Sequence, residues 1–150
     1  MNPIEGLTAL DESACWELLP DSGVGRLAWT NPDGRILIIP VNYGRDGRSI
    51  IMRTGDTELL ERARAGTRAA FQIDDLERGL RSGWTILFDG TLTEVDDEDR
   101  AQRLARLVDP WLRAPRPYVL ALRVMQVTGR TVSQVGGAVQ IVDLDDDGRP

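Results

Sequence analysis

The sequence contains no histidine and no lysine; all 18 of its basic residues are arginine. Without imidazole, the commonest general base and the commonest metal ligand are missing. Without lysine there is no Schiff-base chemistry and no P-loop lysine, and no Ser–His or Cys–His nucleophile can be assembled. A metal site built from histidine and cysteine is excluded, and a carboxylate-only site, though open in principle, has no recognisable loop here. Any catalysis therefore falls to a bound organic cofactor. Cys15 is the only cysteine and cannot form an internal disulfide, which agrees with a cytoplasmic location. No apolar run approaches the ~20 residues needed to cross a bilayer, and Met1 to Gly6 lacks the basic-then-apolar order of a signal peptide. No membrane partner is expected. The net charge of −6, with arginines interleaved among acids, argues against a nucleic-acid partner.

What is present is ordinary for one globular domain: 150 residues, 41% apolar and 28% charged. A single domain is expected over residues 1–142, followed by an acidic, disordered tail over 143–150 whose acids lack calcium-loop spacing. Leu10 to Leu19 reads as a helix with Asp11 as its cap and Pro20 beyond its end. Val24 to Thr30 reads as a strand, and Asn31-Pro32-Asp33-Gly34 is turn chemistry leading to a strand from Ile36 to Ile39. Pro40 then points to an edge, a bulge or an opening in the sheet. Asp46-Gly47 is a hairpin signal before the strand Ile50 to Met52. Glu58 to Ala65 has helical spacing, and Gly66 is placed to cap it. Thr67 to Asp74 alternates as a strand, with Ala69, Phe71 and Ile73 on one side. Trp84 to Val95 is a long strand with a bend or bulge at Gly90. Asp97 to Val108 is an amphipathic helix stopped by Asp109-Pro110. Tyr118 to Val127 is the last clear strand, with a short one at Val139 to Val142. Trp16, Trp29 and Cys15 are assigned to the core. Six or seven strands joined by hairpins, with a few peripheral helices, predict a mainly β (α+β) small antiparallel barrel.

The candidate site is the strand-to-helix junction Arg53-Thr54-Gly55-Asp56-Thr57. A guanidinium and two threonine hydroxyls beside free helix N–H groups make a phosphate cradle, so a nucleotide-type cofactor is expected. The blander alternatives are that Arg53 is a solvated strand residue and that Thr54 and Thr57 are helix caps. Trp84 and Trp111 are of a type that more often packs than contacts a cofactor, and Arg130 reads as an interface ion pair as readily as a ligand contact.

The motifs in order resemble the pyridoxamine 5′-phosphate oxidase-like superfamily of flavin-binding split β-barrels, especially its short bacterial members. Carrying the resemblance are Gly25-Arg26-Leu27-Ala28, Pro40-Val41-Asn42-Tyr43 and Met52-Arg53-Thr54-Gly55 with Thr57 and Leu59. Gly83-Trp84-Thr85 with Gly90, Pro110-Trp111 and Val127-Thr128-Gly129-Arg130 follow. The resemblance implies a split, Greek-key antiparallel barrel and a homodimer with two FMN sites at its interface. Arg53 and Thr54 would meet the phosphate, with Thr57 at the helix start. Pro40, Val41 and Asn42 would line the isoalloxazine. Trp84 and Thr85 would close the ribityl and phosphate side, while Trp111 and Arg130 would come from the second subunit. The implied activity is flavin-dependent oxidation or reduction of a small molecule. Pyridoxamine phosphate is not the expected substrate, because the histidine of true oxidases is absent. A deazaflavin coenzyme in place of FMN, and a non-catalytic binding module, are the alternatives.

Relatives that hold FMN place a lysine just after the threonine at the helix start, where this chain has Glu58. Arg53 with Asp56 and Glu58 sums to −1, facing a phosphate of about −1.5 to −2, and a helix N-terminus supplies only about half a positive charge. Compensation is expected from Arg62, Arg68 or Arg130 of the partner subunit.

Overall fold

A computed structural model describes residues 6–133. Seven strands and three helices follow in the order β1 (Leu7–Leu10), α1 (Glu12–Leu18), β2 (Ser22–Thr30), β3 (Ile36–Asp46), β4 (Ser49–Thr54), α2 (Thr57–Arg64), β5 (Thr67–Glu77), β6 (Ser82–Glu94), α3 (Glu98–Ala105) and β7 (Tyr118–Val132). The strand expected at Val139 to Val142 and the tail over 143–150 lie outside the described residues. No helix among the described residues is long and apolar enough to cross a membrane.

Local chemistry sets the connections. Asn31 closes the β2–β3 turn, its Oδ1 accepting from the Asp33 and Arg35 N–H groups at 3.1 and 2.9 Å. The three helices are each opened by an aspartate: Asp11 accepts from Ala14 N, Asp56 from Glu58 N and Leu59 N, and Asp97 from Arg100 N. Gly66, at φ +72°, ends α2 in the left-handed conformation that costs glycine least.

Strands β2, β3 and β4 form a meander, and β5 returns beside β2, which is a Greek key. The sheet order β1-β7-β4-β3-β2-β5-β6 closes because β6 also pairs with β7, making a six-stranded antiparallel barrel with β1 as an extra strand. Closure depends on β7, which takes β4 along Tyr118–Arg123 and β1 along Gly129–Val132. Its pairing with β6 is interrupted by a bulge at Asp89/Gly90. A Cβ at Gly90 would run into the Arg123 carbonyl, so the glycine is what lets the two backbones meet there.

The barrel interior is filled by Leu27, Tyr43, Phe71 and Phe88 among others, joined by Cys15 and Trp16 of α1 and Leu59, Leu60 and Ala63 of α2. Trp29 belongs to the same cluster. A second cluster packs Leu104 and Val108 against Ile51, Val119 and Ala121, placing α3 on the outside of β4 and β7.

Candidate functional site

The split in the barrel is legible in the hydrogen-bond ladders. Strand β3 pairs with β4 only from Tyr43 to Asp46, whereas it pairs with β2 from Ile36 to Gly44. Ahead of Tyr43, β3 and β4 therefore diverge, and Pro40 sits where β4 requires no donor from it. The expected opening is present at this point.

A cavity of about 670 Å³ occupies the divergence, within the ~300–1,000 Å³ of ordinary small-molecule sites. Pro40, Val41 and Asn42 of β3 form one wall, and Met52, Arg53 and Thr54 of β4 the other. The roof is the irregular segment after α3, which contributes Pro110, Trp111, Leu112, Ala114, Pro115 and Arg116. Strand alternation explains why Arg53 meets this segment: Ile50 and Met52 enter the interior cluster, while Ile51 faces α3, and Arg53 shares the face of Ile51.

Two hydrogen bonds strap the roof down. The Trp111 N–H donates to Asn42 Oδ1 at 3.1 Å, and Arg53 Nε donates to the Arg116 carbonyl at 3.3 Å. Arg116 in turn donates from Nη1 to the Leu112 carbonyl at 3.1 Å. Trp111 is 76% exposed at this rim, so it packs little within its own chain.

The helix mouth differs from the expected cradle. Asp56 Oδ1 accepts from the N–H groups of Glu58 and Leu59 at 2.9 and 3.2 Å, and Thr54 Oγ1 accepts from the Asp56 N–H at 2.9 Å. A carboxylate at the cap satisfies those donors, so they are not free for a phosphate. Thr57 is exposed and does not line the cavity, and neither does Glu58.

The remaining expected residues lie elsewhere. Trp84 is partly buried against the interior cluster. Thr85 and Arg130 are cross-strand partners and share a second, shallow pocket of about 260 Å³ with Gln72, Leu87 and Thr128. Of the cations expected to balance the charge, Arg68 is ion-paired with Asp89 at the surface, and neither Arg68 nor Arg62 lines the cavity. Arg116 is the cation that reasoning from sequence missed. It lies 63 residues beyond Arg53 in a proline-rich stretch with no periodicity, and nothing local marks it.

Among the described residues three groups are shifted from their usual ranges, and none lines the cavity; one is Arg64, whose guanidinium is pushed up by its hydrogen bond to Glu94. Burial pushes the Tyr43 phenol up to about 12, with Asp21 adding to the shift and Arg45 opposing it. Burial, then Asp11 and Glu12, pushes up the Cys15 thiol. Among the cavity's lining residues, the carboxylate of Asp56 is the sole acid, and it is committed to the helix cap. The arrangement can hold a flat apolar body against Pro40, Val41 and Met52, and an anion against guanidinium. Among the described residues no three His, Cys, Asp or Glu side chains gather to hold a metal.

Comparison with known proteins agrees with this architecture. The sequence model of a family described as pyridoxamine 5′-phosphate oxidase matches residues 11–131. The uncharacterized protein Rv0080 of Mycobacterium tuberculosis is 32% identical over 125 residues, covering 80% of this chain and 82% of that one. Among solved structures, an FAD-binding protein of Mycobacterium smegmatis superposes with a TM-score of 0.70 at 26% identity, over 85% of this chain and 99% of its own. An FAD-binding protein of Mesorhizobium loti gives a TM-score of 0.72 at 24% identity, over 85% and 98% of the two chains.

Proposed function

We propose that this chain, which belongs to the pyridoxamine 5′-phosphate oxidase family, is an FMN-binding flavoprotein acting as an oxidoreductase on a small molecule. The observation that carries the reading is the cavity at the split of the barrel, apolar on its walls and bordered by Arg53 and Arg116. Two solved proteins of the same fold are FAD-binding by name, which supports a flavin in this cavity. Pro40, Val41 and Asn42 would flank the isoalloxazine, and Arg53 with Thr54 would face the phosphate end. When bound, a flavin supplies two-electron hydride exchange. The chain's own contribution is to bind, orient and exclude water. No lining group is placed to move a proton, so protons come from solvent or substrate.

The same reading makes the protein a cytoplasmic homodimer. Ile36, Ile38, Trp111 and Leu112 are all more than 60% exposed, an apolar surface of the kind that a partner covers. A second subunit would bring its own Thr85 and Arg130 to the cavity mouth.

A second reading, a module that holds flavin without turnover, is favoured by the lack of an uncommitted acid or base in the lining. The visible spectrum of freshly purified protein, before and after adding FMN, tests the flavin reading: a flavin spectrum is expected. Protein that stays colourless and leaves added FMN unperturbed would overturn it. Hydride transfer from a reduced nicotinamide or reduced deazaflavin then separates the enzyme from the carrier.

A further inference from the structure

We infer that Arg116 is the second anion-binding cation of the cavity, so that the strap over residues 109–117 is the element that makes this site select phosphate-bearing flavins. The inference rests on the flavin reading above and adds the residue that decides which flavin is held.

Within one chain, the charge balance calls for a second cation in the lining. A phosphate of about −1.5 to −2 cannot be matched by Arg53 alone. At the helix N-terminus the Glu58 and Leu59 N–H groups are held by Asp56, and Arg68, paired with Asp89, does not line the cavity. The charged side chains that line the cavity are Arg53, Arg116 and Asp56, two guanidiniums against one carboxylate. Arg116 is placed for this role by the fold. Its carbonyl is held by Arg53 Nε and its Nη1 by the Leu112 carbonyl, so the side chain is anchored at the cavity and not left to wave in solvent. A guanidinium has five N–H donors. Each arginine therefore keeps donors for a phosphate after making its strap bond. Trp111, tied through its N–H to Asn42, holds the other end of the strap against β3.

Both FMN, a phosphomonoester, and FAD, a diphosphate, carry the required chemistry, whereas riboflavin lacks it. The test titrates the full-length protein with FMN, FAD and riboflavin by flavin fluorescence, for the natural chain, Arg116→Ala and Arg116→Lys. The natural chain is expected to bind at least one phosphate-bearing flavin more tightly than riboflavin. Arg116→Ala should weaken that flavin by about tenfold or more, as for a lost hydrogen bond to a charged group, and leave riboflavin within about twofold. Arg116→Lys should recover part of the loss, because lysine keeps the charge but not the fork. Tighter FMN than FAD identifies the monoester, and the reverse order the diphosphate. Equal losses for all three flavins would assign Arg116 to strap packing, and no loss would remove it from the site. Either result overturns this inference and leaves the flavin reading standing. A natural chain that binds none of the three ends both.

Discussion

At Arg53 two demands meet, because its Nε is spent on the strap carbonyl while both Nη groups have no partner among the described residues. Arg53→Ala removes a charged donor from the cavity and frees the Arg116 carbonyl at once. FMN affinity is expected to fall by ~1.5–3 kcal/mol, measured by equilibrium titration. Glu58 acts differently: it is exposed and outside the lining, so it reaches the ligand only through solvent. Glu58→Lys should tighten FMN by less than ~1 kcal/mol, with the gain fading at high salt. A gain that survives molar salt would mean direct contact. Away from the cavity, Tyr43 is fully buried and donates its hydroxyl to the Pro20 carbonyl at 2.9 Å. Its phenol is held up to about 12 in the fold against 10.0 for the free side chain. The folded state therefore keeps a proton that the unfolded chain releases first. That contribution is fully present below pH 10 and lost as pH climbs toward 12, a drop on the order of 2 kcal/mol. Denaturant unfolding at pH 8 and pH 11 should show a slope that Tyr43→Phe flattens. An equal slope in both proteins would place the titration elsewhere.

At the scale of elements, Asp56 shows how one residue can close a site that the sequence seemed to open. Asp56→Ala should cost about 0.5–2 kcal/mol of stability by chemical denaturation. It also uncovers the Glu58 and Leu59 N–H groups beside the cavity, so the preference for FMN over riboflavin should rise. A stability loss without that rise would show that these donors point away from the ligand. The junction could be found from sequence because the apolar, β-prone run Ile50 to Met52 ends just before it and helical spacing starts at Glu58. The cap was harder to read, since Asp56, Thr54 and Thr57 all have capping side chains and only the geometry decides which accepts. The cap that forms satisfies the donors on which the expected cradle relied. Strand β1 escaped sequence reading for a related reason. Leu7 to Leu10 is short and half exposed, and pairing with Gly129 to Val132 at the far end of the chain is what makes it a strand. Strand β7 reaches Val132, beyond the expected Val127, because β1 and β6 both pair with its last residues.

For the whole molecule, the barrel class was legible because Thr67 to Asp74 alternates, short β-prone apolar runs stand at Ile36 to Ile39 and Ile50 to Met52, the hairpins carry Asn-Pro-Asp-Gly and Asp-Gly, and Gly90 marks the bend. The split itself was signalled by Pro40. The grouping of site residues came only through the family resemblance and not from any local pattern, since it depends on contacts between positions as far apart as Asn42 and Trp111 or Arg53 and Arg116. Expected site residues divide between two places in one chain: Arg53, Thr54, Pro40, Val41, Asn42 and Trp111 at the split, Thr85 and Arg130 at the shallow pocket. A two-fold dimer unites them if the β6–β7 surface of one protomer covers the cavity mouth of the other. Exposed Leu87 and Met125 lie on that surface, and Trp111 and Leu112 lie at that mouth. Light scattering at micromolar concentration should therefore give twice the mass of a single chain. Replacing Leu87 and Met125 together with aspartate places like charges in the contact and should yield monomers. Because the cavity would then lose one of its walls, FMN affinity should fall along with the mass, while far-UV circular dichroism stays unchanged. Monomers that retain full FMN affinity would show that the split barrel holds its ligand alone.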